Sequence, residues 1–401
     1  MKHVLPLAAL VAGALLVSGC AAGSSNSSPT ATKASGPINV GMIVPLTGPY
    51  APLGKGDKAA AEQMVSTINA AGGVDGRQID LTVQDDKTDV TQSVTLFNQM
   101  AADKSVSAIL SSSFVSASAA VGPSAASAKI PILALGPISA FANGSNKYAF
   151  TVPATPELYG QQLVKYFSSV GLKKLAIGYV SGDVYGQTGN DATKAAAKKA
   201  GIDVVLDEGY DGGATDFTPL ITHVKASGAD GFLVWGAGPA PVIITKQFQG
   251  AGMPLYMTGA EATSLYTQPA GSAANGVVIA SAAAVAASAL PDGPFAKTIT
   301  AFTDPWEKAN NGTAPPQFAF DGAAAIQLLV AAVKKSGSSD RESIRSALDS
   351  LSTLTVNGRY NYSSSDHSGL TTDDIAIVQV KDGAFVPTPF TVKQFSKSAP
   401  H

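Results

Sequence analysis

Histidine and cysteine, the side chains most suited to metal ligation or nucleophilic attack near neutral pH, are scarce in these 401 residues: four histidines and one cysteine. His3, His223, His367 and His401 are too dispersed to compose a zinc set, and Cys20 has no second thiol to join it. Neither a G-x-S-x-G elbow nor a Walker loop occurs. The densest acidic cluster, Asp85, Asp86 and Asp89, reads as a carboxylate-rich surface turn rather than a metal cage. The chemistry within reach is non-covalent. No catalytic residue, metal or cofactor is expected, and the chain reads as a binder rather than an enzyme.

Cys20 has a different use. Before it stand Lys2 and His3, an apolar run over residues 4–17, and the small residues Ser18 and Gly19, which are the three parts of an export signal. The run contains Pro6 and is shorter than the roughly 17 to 25 residues a bilayer-spanning helix needs. Residues 1–19 therefore read as a signal peptide. Val17-Ser18-Gly19-Cys20 resembles a bacterial lipobox, which implies that Cys20 is acylated after cleavage. Each buried CH₂ contributes about 0.8 kcal/mol, and stable anchoring takes more than one chain. Residues 20–37, rich in Ser, Ala and Gly, cannot build a core and read as a flexible linker. The expected location is the extracytoplasmic face of a cell membrane.

The rest of the chain exceeds the roughly 250 to 300 residues at which one core stops growing, so two domains are expected. Net charge is −2 and only 14% of residues are charged, without a Lys/Arg stripe. Nucleic acid is not expected as a partner. From residue 38 short apolar runs alternate with amphipathic stretches: strands at 38–46, 79–83, 106–110 and 130–135, with helices at 57–70, 90–102 and 117–128 between them. This is the pattern of a mostly parallel sheet covered on both faces. The pattern restarts downstream, with helices at 156–170, 188–200, 217–226 and 240–249 and strands at 174–180, 202–206, 231–235, 255–257 and 277–280. Helices at 294–310, 320–335 and 340–351 follow. Two strand-like runs, 375–380 and 384–390, close the chain around Lys381-Asp382-Gly383, a hairpin turn.

Several motifs recur in an order that resembles one family: INVGMIVPLTGPY over 38–50, GKGDKAA over 54–60, INAAGGVDG over 68–76, DDKTD over 85–89, VSGDVYG over 180–186, Asp216-Phe217, and QGAGMP over 249–254. The chain is similar to the branched-chain amino acid (Leu/Ile/Val) binding family, the type I extracytoplasmic solute-binding lipoproteins of ABC importers. The resemblance implies an α/β fold of two lobes, the type I periplasmic-binding-protein fold. Each lobe is a mostly parallel sheet flanked by helices, and crossovers join them near 152–156, 280–289 and 357–362. Lobe 1 would comprise 38–153 with 285–357, and lobe 2 would comprise 154–284 with 358–393.

The same resemblance points to ligand-binding residues in the cleft. Tyr50 would cover the ligand from lobe 1. Hydroxyls and amides of the loops carrying Ser112, Ser113 and Phe114, and Gly136 and Ser139, would hold a carboxylate. Lobe 2 would add Tyr185, Trp235 and Glu261, the last facing a ligand ammonium, while Gly238 stands where the family usually bears a tyrosine. Phe114 intrudes on the expected pattern and Pro137 removes an N–H. Two ligand classes stay open: an aliphatic amino acid on Ser112, Ser113, Ser139 and Glu261, or a larger aromatic or organic solute stacked on Phe114, Tyr50 or Trp235 above Gly238. Implied partners are an ABC permease and the membrane through the lipid anchor, with the protein a monomer. A ligand sensor of the same fold is the alternative role.

Overall fold

Short β-branched and aliphatic runs form strands here because helices cover both of their faces. A computed structural model of the chain describes residues 36–398; the signal-like segment, Cys20 and most of the Ser-rich stretch lie outside the described residues. In the first lobe β1 (Ile38–Val44), β2 (Ile79–Asp85), β3 (Val106–Ser111), β4 (Ile132–Ala134) and β5 (Ala149–Thr151) form a five-stranded sheet in the order β2-β1-β3-β4-β5. All neighbours are parallel. Central β3 is buried almost throughout, whereas edge β2 alternates between covered and open positions, as burial on both faces and on one face respectively dictates.

Helices α1 (Ala51–Ala70), α2 (Val90–Ala102), α3 (Val115–Ala128) and short α4 (Ser139–Ala142) connect these strands. Helix α1 begins directly after Tyr50, earlier than the expected residue 57, with Pro52 in its first turn, where a missing N–H costs nothing. The acidic cluster serves the connecting turns. Asp89 caps α2 by accepting the Gln92 amide at 2.6 Å, and Asp85 accepts the Leu46 and Thr47 amides at 2.8 and 3.2 Å. The expectation of a surface turn is corrected at Asp86, which is fully buried.

The second lobe follows through α5 (Pro156–Ser169), β6 (Lys174–Val180), α6 (Val184–Ala200), β7 (Asp203–Tyr210), α7 (Thr218–Ala226), β8 (Gly231–Trp235), α8 (Pro239–Phe248), β9 (Leu255–Met257), α9 (Ser264–Ala270) and β10 (Val278–Ala282). The chain then returns for α10 (Pro294–Ala309), α11 (Gln317–Ser336), α12 (Arg341–Leu348) and a hairpin of β11 (Ser352–Thr355) and β12 (Gly358–Asn361). Finally β13 (Ile375–Lys381), β14 (Ala384–Pro387) and α13 (Pro389–Ser398) close the second lobe. Its seven-stranded sheet has the order β14-β13-β10-β9-β8-β6-β7, parallel except where β13 and β14 run antiparallel.

The last crossover lies later than expected. Residues past 362 still bond the first lobe: the His367 amide donates to the Ala142 carbonyl at 2.8 Å, and the Thr151 amide donates to the His367 carbonyl at 3.0 Å. The Tyr362 hydroxyl donates to the Thr151 carbonyl at 2.8 Å. These bonds hold residues 358–369 on lobe 1, so the chain passes to lobe 2 between 370 and 375 rather than at 357–362. The β11–β12 hairpin and α13 were not expected either.

Helix α11 is apolar enough by composition to cross a membrane, yet 78% of its apolar stretch is buried inside the protein. It is the core helix of lobe 1 and packs along α1. Their approach is set by Gly322, where a methyl group would overlap the Asp57 carbonyl. Gly322→Ala should therefore force the helices apart and destabilise the protein by about 1–3 kcal/mol. A chemical denaturation curve should show a lower midpoint at an unchanged slope; an unchanged midpoint would refute the tight crossing.

Candidate functional site

Parallel strands carry their functional loops at the carboxyl ends, and here those loops from both lobes face one another. The turn after β1 brings Tyr50, that after β3 brings Ser113 and Phe114, and that after β4 brings Leu135 and Pro137. From lobe 2 come Asp183 and Tyr185 after β6, Ala237 after β8, and Gly259 and Ala260 after β9. The start of α11 adds Gln317, Phe318 and Asp321. Together with Leu53, Val115, Pro153 and Tyr159 they line a cavity of about 550 Å³, open mouth included. A second recess of about 770 Å³, open mouth included, shares Leu53, Ala260 and Phe318 with it and continues past Gly238, Ile243 and Leu265.

Tyr50 joins the two walls. Its ring lies 4.9 Å from that of Phe114 at 35°, and its hydroxyl donates to Asp183 Oδ2 across the cleft at 3.2 Å. Burial, and then the Asp183 charge, pushes the Tyr50 hydroxyl up, so it stays a neutral donor. The other Asp183 oxygen accepts the Tyr185 amide at 2.7 Å and caps α6. The Tyr185 hydroxyl shares a 2.6 Å hydrogen bond with Thr258 Oγ1.

The charged residues that line this cleft, Asp183 and Asp321, are acidic. No lysine, arginine or histidine lines the cavity. Asp321 accepts from Asn357 Nδ2 at 2.7 Å, and burial pushes its carboxyl up to about 7 against the pull of Asn357 and Gln317. Asp57 of α1 is fully buried beside it. Burial, then Asp321, pushes the Asp57 carboxyl well above the ordinary range against the pull of the nearby Ser113 hydroxyl, and neither of its oxygens makes a hydrogen bond of good geometry. On the opposite wall Glu261 is 2% exposed. Burial drives its carboxyl well up despite amides of Thr258 and Glu261 itself, and Oε2 has no partner.

Of the residues expected from the sequence, Tyr50, Ser113, Phe114 and Tyr185 meet at the cavity wall. Glu261 lies just behind the lining residues Gly259 and Ala260. The others sit elsewhere. The Ser112 hydroxyl donates to Asp86 Oδ2 at 2.6 Å and accepts the Phe114 amide at 3.1 Å, so it is committed inside lobe 1. Ser139 donates to Glu157 at 2.7 Å. Trp235 is wholly buried, donates Nε1–H to Thr193 at 3.0 Å, and stacks edge-on behind Tyr185 at 5.3 Å; it supports the wall and offers no stacking face. Gly136 is buried among Val115 and the Ser112 carbonyl, while Gly238 lines the outer recess with the Tyr50 ring 3.3 Å from where its Cβ would stand. The space expected above Gly238 is thus partly taken by Tyr50. Sequence reasoning missed Asp57, Asp321, Gln317 and Tyr159. The polar Asp57 and Asp321 inside otherwise small and apolar helix faces were the available signal.

The chain resembles known proteins over most of its length. A family model described as periplasmic binding protein matches residues 37–384. A Leu/Ile/Val-binding protein homolog from Brucella melitensis is 30% identical over 310 residues, covering 76% of this chain and 80% of the relative. A leucine-, isoleucine-, valine-, threonine- and alanine-binding protein from Pseudomonas aeruginosa is 26% identical over 81% of this chain and 85% of its own. Among solved structures, an extracellular ligand-binding receptor from Rhodopseudomonas palustris superposes with a TM-score of 0.81 at 25% identity, over 88% of this chain and 100% of its own.

The buried acids make stability depend on pH. Asp57, Asp321 and Glu261 titrate higher folded than unfolded, so between about pH 4 and pH 7 the folded state binds more protons, and the ligand-free protein loses stability as pH rises. The contribution of Asp321 is on the order of 3 kcal/mol across that window. Asp321→Asn should flatten the fall of Tm between pH 5 and pH 8. A thermal melt series with the wild-type slope would show that Asp321 does not titrate there.

Proposed function

The chain belongs to the periplasmic binding protein family, and on that premise we propose that it is the extracytoplasmic solute-binding component of an ABC importer, capturing an amino acid or similar small organic solute between its lobes. The observation that carries this reading is a cavity walled by both lobes and bridged by the Tyr50–Asp183 hydrogen bond. A solute touching both walls stabilises the closed form, and the closed form holds the solute more tightly, because the two are one linked equilibrium. The closed protein then docks on a permease and reopens as the solute passes on. Nothing is transformed; the curated relatives are named as binding proteins.

A thermal-shift screen of aliphatic and aromatic amino acids, amides and aromatic carboxylates, followed by calorimetry on the hits, tests this directly. With an ammonium-bearing hit, Glu261→Gln removes a charge-assisted contact of about 1.5–3 kcal/mol. Affinity should therefore fall by roughly 10- to 100-fold with the fold intact. Unchanged affinity would remove Glu261 from the site.

The Val17-Ser18-Gly19-Cys20 segment supports membrane attachment through a lipid on Cys20. Cys20→Ser should move the protein from the membrane fraction to the soluble fraction, read by fractionation and immunoblotting. Retention at the membrane would overturn the lipid anchor.

A further inference from the structure

On and behind the walls of the cleft lie buried polar atoms short of partners. Asp57 Oδ1 and Oδ2, Ser113 Oγ, Asn357 Oδ1 and Glu261 Oε2 are all buried and all lack a hydrogen-bond partner. Buried polar atoms are nearly always satisfied in folded proteins, and of these Ser113 Oγ is the one on a residue that lines the cavity, so its partner can come from there. Ser113 is 4% exposed, lines the cavity, and stands next to Asp57. Asp321 lines the same wall and holds Asn357 through the amide nitrogen, leaving Asn357 Oδ1 free. The Phe114 amide beside Ser113 is already bonded to Ser112, and Pro137 brings none.

We propose that Asp321 and Ser113, with Asp57 behind them, form a seat for a cationic nitrogen, so that the imported solute is read by its amine on lobe 1 as well as at Glu261. This rests on the solute-binding function above and names the class of solute. An ammonium has three donors and no acceptor, which suits the Asp321 carboxyl and the Ser113 hydroxyl oxygen; a carboxylate has only acceptors and meets no match at Asp321. A carboxylate set against Asp321 and Asp57 would also add a like charge in a buried site, where such repulsion is poorly screened. The amine needs no neighbouring carboxylate to be recognised. Leu53, Val115, Leu135 and Phe318 then face the apolar body of the solute, and Phe114 and Tyr50 close over it.

Two matched triads test the proposal by calorimetry on the whole exported chain: leucine, isoamylamine and isocaproate, and phenylalanine, phenethylamine and hydrocinnamate. In at least one triad the amine should bind within about tenfold of the amino acid or better, and the carboxylic acid should bind at least a hundredfold more weakly than the amine. Asp321→Asn and Ser113→Ala, checked for folding by circular dichroism, should each weaken the amine by about tenfold or more. A carboxylic acid that binds as well as its amine, or an amine affinity unmoved in a folded Asp321→Asn, would overturn the seat. An amino acid that binds, and responds to Glu261→Gln, beside two silent amines would overturn the seat while leaving the solute-binding function standing. Silence of all six probes together with the wider screen would overturn both. The wild-type comparison needs no variant and so holds even if Asp321→Asn fails to fold.

Discussion

The cleft depends on how closely α1 and α11 pack. With no side chain at Gly322, the α11 backbone lies against the Asp57 carbonyl, and that contact sets Asp57 and Asp321 side by side in a dry interior. Two carboxyl groups so placed without a cation cannot both ionise cheaply. The same packing fixes the start of α11, which delivers Gln317, Phe318 and Asp321 to the cavity. Gln317 also reaches lobe 2, accepting the Ala282 amide at 2.8 Å while its own amide donates to the Ala262 carbonyl at 3.1 Å. The acidic floor and the junction between lobes are thus parts of one packing arrangement.

Across the mouth the bond is weaker and of another kind. Tyr50 to Asp183 is a single, long hydrogen bond at 3.2 Å between half-buried groups, worth about 1–3 kcal/mol net. Such a bond biases closure without locking it. The aromatic pair of Tyr50 and Phe114 travels with lobe 1, and Tyr185 is held on lobe 2 by Thr258 and backed by Trp235. Each wall is thus held within its own lobe while the Tyr50–Asp183 hydrogen bond spans the mouth, an arrangement that suits a capture-and-release cycle.

Much of this architecture was legible in the sequence because parallel sheets write themselves as short apolar runs between amphipathic helices, and the two rounds of that pattern gave the two lobes. What was illegible depended on contacts distant in sequence. The chain from 358 to 369 carries no strand signal strong enough to assign it, and contacts distant in sequence, among them its bonds to Ala142, Ala149, Thr151 and Val152, tie it to lobe 1. Tyr50, Ser113, Phe114 and Tyr185 were identified from motif positions on loops that follow strands. Ser112, Ser139 and Trp235 share those positions, but Asp86, Glu157 and Thr193 claim their polar atoms, and no local pattern announces such a competitor. Asp57 and Asp321 lie on helices, 264 positions apart by numbering, and become neighbours only when α1 and α11 pack.

The acidic floor also sets what binding must do with protons. In the ligand-free protein burial keeps Asp57 and Glu261 protonated well above the ordinary carboxylate range and leaves Asp321 poised near neutrality. A cationic nitrogen on the proposed seat favours the ionised carboxylates and therefore expels protons as it enters. Its charge replaces theirs, so the cleft changes little in net charge between the empty and filled states. The desolvation cost of a buried ion is met on both sides of the exchange by a group already there. A neutral cavity could not do this for an amine, and a cavity with fixed, unpaired carboxylates would be unstable when empty. Protonatable acids in place of permanent charges reconcile the two demands.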